Sequence, residues 1–374
     1  MSKYTDQLIH SIASSNDIVT NLKESSRLAV HFARQTNSIE SRNIIDKIRK
    51  TGSMIQIACV AARLHLAEAI NLANEADLES ARKSCYRSHL LSRIDNEAYA
   101  EVSAWLAHFE QLMGNRNETL TLLKRTFESV TSIDLLAIQR ASITLADELH
   151  SLDQFATAKD FYHAARLCAE RLGDDAAVAE LLFNIASHGV ENCRIFMSQN
   201  HNPRPDQGFF ISHAGSAQRY CQLLGILGGK WMFYLLQMNI EALTENYEIL
   251  LSHEIESQLK VIQKTRPSLY HILRVDKHLA ENLSQEGYDA QDDLNRIQRS
   301  SENIHDDEEL AIFYSQLGKA FRRAGDIANS LACSQRASAH FERLQSFRSE
   351  QLKSNLLQET IDAARSCLGR LRAS

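Results

Sequence analysis

A turn between two helices recurs along this chain at an almost constant spacing, and no other feature constrains its fold as tightly. Aligned on the residue just past each turn, the series is Ile39, Leu78, Arg116, Phe155, Tyr247, Tyr288 and Ile327, with gaps of 39, 38, 39, 92, 41 and 39 residues. Repetition at such a period is the signature of stacked helical hairpins, since one hairpin cannot bury its apolar face alone. The long gap holds one further unit on each side and leaves over 14 residues, SQNHNPRPDQGFFI at 198–211, a polar stretch with two prolines and no helical period. The expectation is an all-α chain, an α-solenoid of about eight antiparallel helical hairpins with one loop insertion and a C-terminal capping helix. Three prolines and thirteen glycines are too few for an all-β protein with many tight turns.

The unit YSQLGKAFRRAGDIANSLACSQRAS at 314–338 shows what the repeat is made of. Leu317, Gly318, Phe321, Gly325, Asp326 and Ala337 fall on the conserved places of the 34-residue tetratricopeptide pattern. Residues 142–167 match it at Leu145, Ala146, Phe155, Ala158, Tyr162 and Ala165, whereas 106–127 is degenerate, with Arg116 and Thr119 where apolar and small residues are usual. The chain thus resembles a tetratricopeptide-repeat protein, and the resemblance implies a superhelical array over 1–340 followed by a helix at 341–374. Small residues at Gly318 and Ala337 would let paired helices approach, while Tyr314 and Phe321 would fill the space between pairs. Units of 38–41 residues imply helices about a turn longer than the pattern requires.

Composition excludes several classes of function. A net charge of −6 gives the chain as a whole no basic footprint for nucleic acid. Seven scattered cysteines without a Cys-x-x-Cys pair read as small buried hydrophobes in a reducing cytoplasm, not as a disulfide framework or a zinc ribbon. The N-terminus lacks a signal-peptide pattern, and no apolar run is long enough to span a bilayer, so a cytoplasmic protein is expected. His188, Glu191 and Cys193 do not share one helical face, His253-Glu254 lacks the second histidine of a zincin, and His271 and His278 stand two turns apart. The Gly228-Gly229 pair reads as a helix end rather than a phosphate loop. No catalytic residue, metal or cofactor is expected.

What remains is binding. In tetratricopeptide arrays the first helix of each pair lines a concave groove, and the resemblance carries that role to Arg140, Ile143, Asp147 and His150 in one unit and to Ile312, Ser315, Lys319 and Arg322 in the last. In the degenerate unit the same places hold Glu101, Ala104, His108 and Gln111. Lys319 and Arg322 could clamp an acidic group, or could be a solvated face near a helix C-terminus. The C-terminal stripe Leu357, Ile361, Ala364, Leu368 and Leu371 fits a helix capping the last repeat, with homodimerisation through it as the rival.

ELLFNIASHGVENCRIFMSQN and SAQRYCQLLGILGGKW further resemble segments in the sensory half of bacterial proteins that join such repeats to a GGDEF diguanylate cyclase. No GGDEF signature is present, so the resemblance implies a signalling sensor or adaptor that binds a protein or peptide and regulates a separate output. A ligand- or peptide-responsive transcriptional regulator is the alternative, although residues 1–50, with Ile39, Ile44, Ile45 and Ile48, read as another repeat rather than a DNA reader.

Overall fold

The computed structural model describes residues 3–51, 57–75, 77–94, 96–131, 134–199, 203–224, 230–282 and 291–373. Gly228, Gly229 and Tyr288 lie outside them. The fold is all-α, with eighteen α-helices and no strand among the described residues. Sixteen of these helices follow one another as eight consecutive pairs, and α1 and α18 stand outside the pairing.

The chain divides into two compact units rather than one array over 1–340. The first comprises Met1–Asn184, Ser216–Gly229 and Leu352–Ser374, and the second Ile185–Gly215 and Lys230–Gln351. In the first unit, α1 (Lys3–Ser14) precedes the pairs α2 (Ile18–Arg34) with α3 (Ser38–Lys50), α4 (Ala58–Asn74) with α5 (Leu78–Ser92), α6 (Tyr99–Leu112) with α7 (Arg116–Ser129), and α8 (Leu135–Ser151) with α9 (Phe155–Leu172). The division falls within α10 (Asp175–Met197) and α11 (Gln207–Leu224). The second unit continues with α12 (Lys230–Thr244) and α13 (Ile255–Thr265), α14 (Pro267–Glu281) and α15 (Gln291–Arg299), and α16 (Asp307–Arg323) and α17 (Ile327–Leu352).

The turns explain the sequence period. Thr36, Gly114, Asp153 and Gly325 each take a positive φ, of 58°, 76°, 59° and 83°, just before a second helix begins. That left-handed residue ends the first helix and reverses the chain. Leu78, Arg116, Phe155 and Ile327 are accordingly the first residues of α5, α7, α9 and α17, while Tyr247 precedes its helix by eight positions. Side chains secure some of these starts, as Asn37 accepts from the Glu40 amide and Asp77 from that of Ser80.

The insertion differs from expectation. Its last five residues are the start of α11, and Phe210 is buried, so 198–199 and 203–206 are the described residues that lie between the two helices. The aromatic pair Phe209-Phe210 supplies an apolar face that a purely polar loop would lack.

The C-terminal helix also differs. The expected boundary at 340/341 falls inside the continuous helix α17, and a separate α18 (Asn355–Ala373) follows. Within the first unit α18 packs on α7. Leu357, Ile361, Ala364, Leu368 and Leu371 are all buried, so the stripe serves an intramolecular seat within the first unit. The seat is fastened by Thr360 donating to the Leu120 carbonyl at 3.2 Å and by Arg370 donating to that of Phe127 at 3.3 Å. Leu371→Ala should cost about 2 kcal/mol through the cavity it leaves. The unfolding midpoint of that variant should stay independent of protein concentration; a midpoint that moves with concentration would mean the stripe holds two chains together.

The cysteines are free, with Cys59, Cys85, Cys168, Cys193, Cys333 and Cys367 buried and Cys221 half-buried. They pack as small apolar residues, as Cys333 does where it touches the helix α16 beside Gly318.

Candidate binding site on the inner face of the first unit

The first helices α2, α4, α6 and α8 share one face of the first unit, and that face curls on itself. Arg34 near the end of α2 reaches Asp174 at 2.9 Å and donates to Gln139 of α8 at 3.2 Å. A stack in which first and fourth pairs meet has little open groove left. The positions singled out on α8 show the consequence.

Arg140 is buried, bidentate to Glu180 at 2.6 and 2.8 Å, with its guanidinium 3.9 Å from the centre of the Trp105 ring. Ile143 is fully buried. Asp147 accepts from Tyr162 Oη at 2.7 Å and from Asn184 Nδ2 at 3.0 Å. His150 is buried too, 3.3 Å from the same tyrosine oxygen and against Phe155. None of the four is offered to a partner. The reason is α10, whose first turns bring Glu180 and Asn184 onto α8 and fill the groove there with the chain's own side chains.

On α6 the pattern repeats in weaker form. Ala104 is buried, Gln111 donates to the Thr144 carbonyl at 3.1 Å, and half-buried His108 lies between Trp105 and Phe109. Burial, with Arg140 nearby, holds the His108 imidazole down to about 4, so it is neutral at physiological pH. These groove positions do come together, but as an internal polar seam. In the second unit Ile312 is buried, Ser315 is half-buried, Lys319 is 3.4 Å from Glu245, and only Arg322 is exposed. The cavity beside Ile312, Ser315 and Lys319 has a volume of about 10 Å³, room for one water and not for a peptide.

The open part of the inner face lies elsewhere, in a cavity of about 700 Å³ between α1, α2, α4, α6 and α8. Glu101 is the one groove position from the sequence that lines it. Helix α1 forms a wall: Tyr4 and Leu8 pack with Leu28, and half-buried Leu136 and Leu172 complete the cluster. The Tyr4 amide donates to the Gly173 carbonyl at 3.4 Å, and Thr5 Oγ1 meets His31 Nε2 at 2.8 Å. These contacts anchor α1 across the stack, outside any hairpin. The apolar spacing Tyr4, Leu8, Ile12 was the signal in the sequence for such a helix, one residue per turn on a single face.

The cavity is charged. Four carboxylates, Glu24, Glu97, Glu101 and Asp134, line it against two guanidiniums, Arg27 and Arg63. Buried Arg63 donates to Glu97 at 3.1 Å and stands 3.5 Å from Glu101. Partial burial works against the Glu97 charge, but Lys23 and Arg63 outweigh it and hold the carboxyl down to about 2. Tyr4 moves the other way, pushed up to about 12 by burial and by the negative charge of Glu101. A site with four carboxylates, that of Glu97 held ionised by its cationic neighbours, and an apolar wall is suited to holding a ligand with both a cationic and an apolar part.

Among the described residues no group of three or more histidine, cysteine, aspartate or glutamate side chains is gathered as a metal site would need. No family model, no curated protein and no solved structure matches this chain.

Proposed function

We propose that this chain is a non-enzymatic interaction scaffold, a bacterial signalling sensor or adaptor that takes a protein or peptide segment on the inner face of its first unit. The observation that supports this reading is the 700 Å³ cavity, whose walls come from four successive first helices together with α1. Its size suits one or two side chains of a bound segment, and its excess of carboxylates favours lysine or arginine among them. The likeness to the sensory half of cyclase-linked repeat proteins supports an output carried by a separate protein.

Ala100 lines the cavity and is half-buried, so tryptophan there fills the volume without replacing a charged residue. Ala100→Trp should abolish capture of the partner set from lysate, read by quantitative mass spectrometry, while charge reversal at Lys319 and Arg322 leaves it intact. Loss of capture with the second variant alone would move the site to α16. Tight, strongly salt-dependent DNA binding by the unaltered chain would instead favour a transcriptional regulator.

A further inference from the structure

Among the described residues, helices α3 and α5, the second helices of the first two pairs, make at most slight contact with one another. Between them runs a groove with a volume of about 550 Å³, floored by α4. Each wall contributes one stripe two turns long: Arg42, Asp46 and Arg49 from α3, and Ser80, Lys83 and Arg87 from α5. The same unit shows what such a slot accepts. Two pairs further on, α18 lies against α7, and Arg171 of α9 donates to the Leu371 carbonyl at 3.4 Å. There a helix of the chain itself is seated among second helices; among the described residues no helix is seated in the α3–α5 groove.

The two seats differ in chemistry. That for α18 is apolar, whereas the α3–α5 groove has four cations, Arg42, Arg49, Lys83 and Arg87, against two carboxylates, Asp46 and Glu68. Glu68 is already engaged by Arg49 and by His65. Among the described residues Arg42 and Lys83 pair with Glu75 and Glu79 respectively, and both of those pairs are about half exposed or more. Exposed pairs of this kind contribute about 0–1 kcal/mol each and exchange readily for a better-placed carboxylate. Arg87 is exposed and makes no ion pair among the described residues.

From these features we infer that the α3–α5 groove is a second docking surface, and that it takes an acidic helix of a partner protein, with its carboxylates on Arg42, Lys83 and Arg87. Two turns of stripe on each wall match two to three turns of a docked helix. Nucleic acid fits less well, because Asp46 and Glu68 would face its phosphates.

The test uses the full-length chain and a fluorescein-labelled, capped helical peptide of glutamate and alanine, with a lysine and alanine peptide of equal length as control. Fluorescence anisotropy at low salt should show the acidic peptide binding at least about tenfold tighter than the basic one, with affinity falling as salt rises. Lys83→Glu combined with Arg87→Glu should weaken it by about tenfold or more, since both side chains are exposed and their replacement leaves the fold intact. Lys47→Glu, also exposed on α3 but outside the groove, should change it by no more than about twofold. Equal binding of the two peptides, retention of affinity in the double variant, or displacement by a DNA oligonucleotide at lower concentration than by unlabelled peptide would overturn the inference. Because the carboxylates of the α1 cavity favour lysine, the two peptides are compared on the Ala100→Trp chain, in which that cavity is filled, so failure here leaves the inner-face reading standing, and the reverse.

Discussion

Alanine at position 189 should lower the thermal midpoint of the second unit by roughly 6–12 °C, a loss of about 3 kcal/mol. Gly189 lies in α10, and Phe210 of α11 packs directly on its backbone. A Cβ added there would stand 2.6 Å from Phe210 Cε1 and nearer still to Cγ and Cδ1. By helix propensity alone the change to alanine would gain up to about 1 kcal/mol, so the predicted sign is set by the clash. The ring cannot simply swing away, because Phe210 is itself 1% exposed. Phe210→Ala in the same chain should restore part of the loss, since the two positions share one contact and their effects should not add. Calorimetry on the three variants decides it: a midpoint unchanged or raised in Gly189→Ala would show that α10 and α11 do not meet this way.

Gly189 also marks a limit of reading the sequence. Within ASHGVENC it is one more glycine inside a helix, and nothing local reveals that a ring beyond the next loop rests on it. The hairpin period was legible for the opposite reason, because a turn is a local event. A left-handed residue followed by a cap or an apolar first turn recurs at Gly114, Asp153 and Gly325 whatever the helices later pack against. Where the turn is longer, as before α13, the Tyr247 register slips.

The groove positions were legible as a face and not as a surface. Arg140 and Asp147 do share the face of α8 that their spacing implies, and the structure places both on the inner side of the stack. Their availability depended on α10, which brings Glu180 and Asn184 across them, and a non-local covering of that kind leaves no periodic trace. The stripe on α18 was readable in the same partial way. Leu357 to Leu371 announced that a partner surface exists, but that α7 supplies it, more than 200 residues earlier in the chain, leaves no trace in the stripe itself.

Asp276→Asn should destabilise the second unit by about 3–5 kcal/mol, read as a lower urea midpoint at unchanged slope. Arg194 of α10 and Asp276 of α14 are both almost fully buried, at 2% and 1% side-chain exposure, and the guanidinium meets both carboxylate oxygens at 3.0 and 2.8 Å. It also donates to Asn239 of α12, so one cation ties three helices of the unit. Burial pushes the Asp276 carboxyl above its ordinary value even with Arg194 beside it. The desolvation of the pair is therefore not fully offset by its attraction, and the pair as a whole adds little stability over apolar residues of similar size. Removing one member is different, because the neutral amide leaves the guanidinium buried without a counter-charge. Replacing both, as Arg194→Met with Asp276→Leu, should accordingly recover most of the loss and could exceed the parent. A double variant as unstable as Asp276→Asn alone would show that the three-helix tie stabilises through its hydrogen bonds and not merely by avoiding a stranded charge.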